Sequence, residues 1–542
     1  MNRLVRLCLI PLLVALAVRA AAQPTYPRAK TVDVVDELHG VKIADPYRWM
    51  EDLDAPDLKQ WIEAQNEITF GYLNEVPQRE AIEARLTKLW DYERFGVPQK
   101  QGGRYFYSRN DGLQNQSVLY VASSLDEAPR VLLDPNTLSS DGTVALSGYE
   151  ITKDGKWMAY GLSAAGSDWD EFKVRSVDTG EDLPETLKWI KFSGMSWKKD
   201  GSGFYYSRYD EPSGNVLSSL NKWPKVHFHA PRTTQDQDAL VYERPDEPDW
   251  GFGASVSEDG RYLILSISQG TERKNRLFYR DLETPPRAWL NPPVEEQIHG
   301  VMREACELWM QVYALPKEEQ GKAKELTAQI DALRAKRAAL VKQNHGQWHG
   351  FTELLTEFDA QYDFIGNDGP VFYFFTDLNA PRGRVIAIDT AKPQRENWKE
   401  LIPQTKDTLR GVGLVNNQFI AAYLKDAYTE VRIHDLSGKL VRSVDLPGIG
   451  SAGGFGGERT DTETFYSFTS FATPATIYRY DLTTGTSTIW KQPKVDFDPS
   501  AYEVKQVFYP AKDGTKIPMF IVHRKGLQLN GANPTYLYAY GG

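Results

Sequence analysis

Asp259-Gly260-Arg261-Tyr262 is a tight polar turn that leads into an aromatic residue of a β run. The same order returns at Gly102-Gly103-Arg104-Tyr105, Asp154-Gly155-Lys156-Trp157 and Asp200-Gly201-Ser202-Gly203-Phe204. It appears again at Asn367-Asp368-Gly369-Pro370-Val371-Phe372, Asn416-Asn417-Gln418-Phe419 and Thr462-Glu463-Thr464-Phe465. Asp-Gly and Asn-Asn supply the positive φ that short hairpins need. About 25 residues after several of these turns comes a strand that ends in Asp and a second turn, as in Val177-Asp178-Thr179-Gly180 and His434-Asp435-Leu436-Ser437-Gly438. Tyr279-Arg280-Asp281, Ile388-Asp389 and Tyr480-Asp481-Leu482-Thr483-Thr484-Gly485 carry the same signal, so each unit holds at least two hairpins.

The intervals between successive first turns are 52, 46, 59, 109, 48 and 45 residues. Five of the six suit a four-stranded propeller blade. The fold expected is therefore mainly β, a seven-bladed β-propeller over residues 92–498. A sandwich built from unrelated hairpins is the alternative, and the regular spacing disfavours it.

The long interval contains Glu295 to Val341, where Leu326, Ile330, Leu333 and Leu340 recur at helical spacing and Pro316 divides two halves. This predicts a helical hairpin inserted at a blade connection, at about 293–347. Two heptads are too few to argue a partner-binding coiled coil. Residues 23–91 read as a helical segment, with helices over Glu51 to Tyr72 and Gln78 to Trp90. Residues 499–542 read as strand, Asp513-Gly514 turn, strand and a last aromatic strand, Pro534-Thr535-Tyr536-Leu537-Tyr538-Ala539-Tyr540-Gly541-Gly542.

Of 542 residues, 41% are hydrophobic and 25% charged, as in an ordinary soluble protein, and the length favours more than one domain. A net charge of −10 argues against a nucleic-acid partner. Arg3 and Arg6, the apolar run Leu7 to Val18 and Ala20-Ala21-Ala22 predict a signal peptide at 1–22, cleaved after Ala22, and a secreted or periplasmic protein. An uncleaved anchor is the alternative; its twelve-residue core would reach about 18 Å against a hydrocarbon layer of roughly 30 Å. No later segment is long and apolar enough to span a membrane. Cleavage removes Cys8 and leaves Cys306 alone, which excludes an internal disulfide.

Candidate chemistry is sparse. His227 and His229 share a strand face without an evident third metal ligand, and His345 and His349 read as a solvated helix end. Glu51, Asp52 and Asp54 read as a helix-capping surface. No serine has the G-x-S-x-G surround of a nucleophile elbow; Gly450-Ser451-Ala452-Gly453 comes nearest, in an expected loop. No P-loop or dinucleotide fingerprint is present.

Several motifs nevertheless share one source. Asp45-Pro46-Tyr47-Arg48-Trp49-Met50-Glu51-Asp52, Gly112-Leu113-Gln114-Asn115-Gln116-Ser117 and Tyr509-Pro510 with Lys512-Asp513-Gly514-Thr515-Lys516-Ile517-Pro518 resemble the prolyl oligopeptidases. Leu133-Asp134-Pro135-Asn136 and Phe465-Tyr466-Ser467-Phe468-Thr469-Ser470-Phe471 do so too. The resemblance runs from Tyr26 to Gly542, interrupted by the helical insert. It implies a monomeric serine-type endopeptidase in which a propeller gates access to an α/β-hydrolase domain, here begun by 23–91 and 499–542. The implied substrates are short peptides cut after proline, with no cofactor and no metal. The implied triad matches no residue of these 542, so the chain is expected to be a truncated form, inactive alone or completed by a separate catalytic half. A stand-alone propeller that binds peptides or proteins without cutting them is the second reading. By resemblance, Tyr540 is the oxyanion-stabilising tyrosine and Phe192 lines the substrate pocket. Gly251 and Thr271 stand where some relatives carry Met and Cys.

Overall fold

A computed structural model describes residues 25–38, 40–53, 55–212, 220–284, 291–316, 319–344 and 346–540. The expected signal peptide, Asp54, His345 and the Gly541-Gly542 pair lie outside the described residues. The chain divides into two compact units, 1–88 and 89–542.

In the first unit, Val35–Leu38 pairs with Val41–Ala44, and Arg48 bridges Asp36 and Asp45. The first α-helix spans Pro56–Asn74 rather than starting at Glu51, because Pro56 sits at its first turn where a missing N–H costs nothing. Arg48–Glu51 is a separate 3-10 turn, and no side chain caps the helix that follows. A second helix, Arg79–Trp90, continues into the larger unit.

The larger unit holds seven antiparallel sheets of at least four strands, in chain order, together with a terminal hairpin, among the described residues. This is the seven-bladed propeller. Each of the seven turns read from the sequence joins the first strand of a blade to the second; in blade two, for instance, Val144–Ile151 leads through Gly155 to Trp157–Ala164. Gly155 has φ +73°, and Asn416 and Asn417 both adopt φ near +50° in the two-residue turn of blade six. The Asp of the turn fixes it by accepting from the backbone two residues on, as Asp259 does from Arg261. The second signal marks the link from third to fourth strand.

Burial on both faces explains the aromatic runs. In Val371–Thr376, Phe372 and Phe374 pack in the cluster shared with blade four, while Tyr373 and Phe375 pack in the one shared with blade six. The period of two therefore carries apolar residues in both phases. Each such Phe contributes about 1.5–3 kcal/mol on burial. Six clusters of this kind fill the six gaps between consecutive blades.

The gap between blades seven and one is built differently. Its centre is Glu463, which accepts a hydrogen bond from the Tyr105 hydroxyl at 2.6 Å and pairs with Arg479 and Lys100. Tyr105 meets Phe465 edge-on, and Tyr107 meets Trp490 at 4.9 Å. Burial pushes the Tyr105 phenol up to about 12. Burial also pushes the Glu463 carboxyl up, but the Tyr105 hydrogen bond and the Arg479 charge outweigh it and leave it below its usual range.

The insert forms two helices, Pro292–Ala314 and Gln320–Gln343, packed on each other and placed inside blade four between its third and outer strands. Ile298, Met302 and Val341 enter the core shared by blades three and four, so the insert is part of the propeller's packing. After blade seven, Tyr502–Pro510 and Lys516–Arg524 form a hairpin. The expected last strand is not formed: residues 534–540 pair with no other strand, and Tyr536, Leu537, Tyr538 and Tyr540 are exposed. An aromatic run has β propensity, but a strand exists only where a neighbour accepts its ladder. No helix among the described residues is long and apolar enough to cross a membrane.

Glu463→Ala is expected to lower the denaturant midpoint by the equivalent of about 2 kcal/mol, since charge-assisted bonds are lost at the closing seam. Because the folded carboxyl is held low, its contribution is present above about pH 4.5 and fades as pH falls through the lowered value. The stability gap between the native chain and Glu463→Gln should therefore shrink in acid, as measured by urea titration between pH 3 and 7.

Candidate functional site

Phe192 lies in the connection from the outer strand of blade two, Leu187–Ile190, to the inner strand of blade three, Ser196–Trp197. It is 73% exposed and has φ +54°. Trp189 and Trp223, also in the left-handed region, have φ +62° and +55°. A bulky side chain there costs about 1–2 kcal/mol per residue, so the surroundings must hold it. They do so through the backbone: the Tyr209 N–H donates to Trp189 O at 2.9 Å, and the Ser207 N–H donates to Ser193 Oγ at 2.8 Å.

Aromatic rings gather around Trp189 and Lys191, which precede Phe192 in the chain. Trp169 meets Trp189 and Tyr209 edge-on at 5.9 and 6.0 Å. The Lys191 ammonium sits 4.2 Å above the Trp169 ring and donates to Asn221 Oδ1 at 3.2 Å. Lys191 is buried, and no carboxylate among the described residues pairs with it, so the ring face carries much of its stabilisation. The rings continue into an open cavity of about 940 Å³ lined by Trp169, Tyr209, Lys222, Trp223, Arg303 and Met310, the last two from the first insert helix. Aromatic faces with a few cations can hold an extended peptide, stacking on its rings and pairing with its carboxylates.

The other sequence candidates lie elsewhere. Tyr540 is 89% exposed, and no hydrogen bond or ring contact joins it to Phe192. Gly251 is on the inner strand of blade four, where a Cβ would come 2.6 Å from Ser268 Oγ; Thr271 is in an exposed turn of the same blade. His229 is fully buried and bonds Asp238 at 2.7 Å, and Asp238 also accepts from Tyr206. This is a polar knot inside blade three. No group of three His, Cys, Asp or Glu residues among the described ones is arranged to hold a metal ion. His349 is not at a solvated helix end: it follows Trp348 in a turn, packs on Trp348 and His299, and burial pushes its imidazole down to about 4. Ser451 is not in a loop but begins the inner strand of blade seven, Ser451–Gly456. Sequence does not single out Trp169, Lys191, Tyr209 and Trp223 as a group, because they meet only across a blade boundary.

The model of the family "Prolyl oligopeptidase, N-terminal beta-propeller domain" matches residues 26–318 and 329–493. The unmatched stretch between them falls in the second insert helix and the turn before it. A prolyl endopeptidase of Elizabethkingia meningoseptica is 37% identical over 518 residues, covering 95% of this chain and 64% of the relative. Prolyl oligopeptidase A of Amanita bisporigera is 31% identical, with 95% and 65% covered. A solved prolyl endopeptidase structure superposes with a TM-score of 0.75 at 32% identity, over 93% of this chain and 65% of that one. Prolyl oligopeptidase B of Galerina marginata, solved with a 35mer hydrolysis and macrocyclization substrate, gives a TM-score of 0.73 at 28% identity. The chain thus spans a little under two thirds of the length of these relatives. A propeller of seven sheets with this sequence kinship identifies the chain as belonging to the prolyl oligopeptidase family.

Proposed function

We propose that this chain supplies the propeller, and the flanking elements around it, of a serine-type endopeptidase that cuts short peptides on the carboxyl side of proline. The observation that carries the reading is Phe192, exposed and in the left-handed region directly after Lys191, on a propeller shared with prolyl endopeptidases. Binding energy that fixes a peptide against aromatic faces orients it for acyl transfer. The ring would restrict access to short peptides. Its inner turns are tied together at one mouth by the blade-seven loop: Arg459 bonds Asn367 O at 2.7 Å and Asp368 at 2.6 Å, and its backbone N–H donates to Glu258. Glu458 in the same loop pairs with Lys153 of blade two.

Tyr540 carries the oxyanion role in this reading, since a phenol can donate to a developing alkoxide. Among the 542 residues no serine occupies a nucleophile elbow, so acyl transfer is assigned to none of them. Export through the Arg3-to-Ala22 segment, and action as a monomer, complete the proposal.

Pure 1–542 protein is expected to leave a Gly-Pro chromogenic substrate intact; turnover that a fluorophosphonate abolishes would sink this assignment. Phe192→Gly relieves the left-handed strain, so its melting temperature should hold or rise, by up to about 1 kcal/mol equivalent. The same variant should bind a proline-containing octapeptide at least fivefold more weakly, followed by tryptophan fluorescence. Unchanged affinity would remove Phe192 from the site. In an exporting host, mass spectrometry of the mature protein should find Gln23 as the first residue.

A further inference from the structure

Where the insert meets blade four, a second cavity of about 790 Å³ opens, lined by Arg244, Trp250, Arg276, Arg334, Arg337 and Phe358 together with the carboxylates of Glu247, Glu353 and Glu357. Its cations are not equivalent. Arg244 forks onto Asp246 with two bonds of 2.8 Å, Arg334 reaches Glu247 at 2.6 Å, and Arg337 reaches Glu353 at 2.7 Å. Arg276 stands apart. Among the described residues it has no ion pair, and none of its side-chain nitrogens is hydrogen-bonded, whereas the buried Nε without an acceptor is shared by Arg334 and Arg337.

What holds Arg276 is aromatic. Its guanidinium lies 4.6 Å from the Trp250 ring centre and 4.4 Å from that of Phe358. The same indole carries Arg244 at 4.2 Å. Burial and the neighbouring Arg244 charge push the Arg276 guanidinium below its usual value, while Glu247, Glu357 and Glu353 oppose this from beyond ion-pair distance. Arg244 and Arg337, which lie deeper, are both paired with carboxylates. A stacked, unpaired guanidinium facing an open cavity instead offers a rigid fork of donors, whose geometry matches a carboxylate.

We propose that this cavity is a binding site for a small carboxylate, seated on Arg276 beside the edge-on pair of Trp250 and Phe358. The insert completes the site, because Arg334 and Arg337 come from its second helix. Lys342, exposed on the same helix, lines the cavity too and adds positive charge. The carboxylate could belong to a free organic acid or to the C-terminus of a short peptide; the chemistry recognised is the same. The assignment stands independently of the peptidase reading.

Calorimetric titration of the 1–542 chain with succinate, with a tetrapeptide acid and with the same tetrapeptide as its amide tests it. Binding of succinate or of the acid, with the amide at least tenfold weaker than the acid, is the expected result. Binding by succinate alone identifies a free acid, and binding by the tetrapeptide acid identifies a peptide terminus. Arg276→Gln should weaken binding at least tenfold while leaving the melting temperature of the ligand-free chain unchanged or higher. Phe358→Leu keeps the fork but loses a ring, and should weaken binding several-fold. No heat from either carboxylate, equal affinity in Arg276→Gln, or inorganic phosphate binding as tightly as succinate would each overturn the proposal.

Discussion

A ring of sheets is stable only if its last member meets its first, and here that meeting rests on Glu463. Six gaps between blades are filled by apolar clusters, whereas the seventh is a seam of ion pairs, one short phenol–carboxylate bond and edge-on rings. The seam brings Tyr105 and Glu463 together across some 358 positions of sequence. Closure of that length is entropically costly, and it is offset only when all the intervening blades have already packed. The placement of every other feature follows from this closure, because antiparallel blades put the inner turns at one end of the strands and the crossings between blades, including that of Phe192, at the other.

Within the ring, local and global preferences agree. Runs such as Phe204-Tyr205-Tyr206 and Phe372-Tyr373-Phe374-Phe375 serve two interfaces at once, with alternate residues committed to opposite neighbours. That is why aromatics are frequent without a single large core. The helical insert obeys the same rule, since its apolar stripe is divided between its own hairpin and the boundary of blades three and four. Two sites stand out among the departures from this consistency. At Phe192, Trp189 and Trp223 the backbone is held against its preference. At Arg276 a cation is held on two rings without an ion pair among the described residues. Departures of this kind gather where a protein binds something.

Much of the architecture was legible in the chain. The Asp-Gly and Asn-Asn turns are local chemistry, and their spacing near 50 residues counted the blades before any contact was known. The seven sheets agree with that count. Motifs such as Asp45-Pro46-Tyr47-Arg48-Trp49 carried the family, which the match over residues 26–318 and 329–493 supports independently. The site was far less legible. Phe192 came from resemblance alone, and Lys191, Trp169, Tyr209 and Trp223 gave no sign of converging, since they meet across a crossing between blades.

Three features lay beyond sequence because each depends on a partner distant along the chain. The expected last strand failed in this way: Pro534 to Tyr540 has the composition of a strand, yet a strand needs a ladder, and none is offered to it among the described residues. Ser451 and His349 moved from their expected loop and helix end for the same reason, one recruited to an inner strand and the other packed against His299 of the first insert helix. Arg276 reads in sequence as one more surface cation; only the meeting of Trp250 and Phe358 around it makes it an unpaired fork in a cavity. By itself the sequence determined the repeating turns, the two-phase aromatic strands and the family, all written in neighbouring residues. Tertiary structure decided ring closure, the strained aromatic cluster and the orphan guanidinium, because each is an agreement between residues that only folding brings within reach.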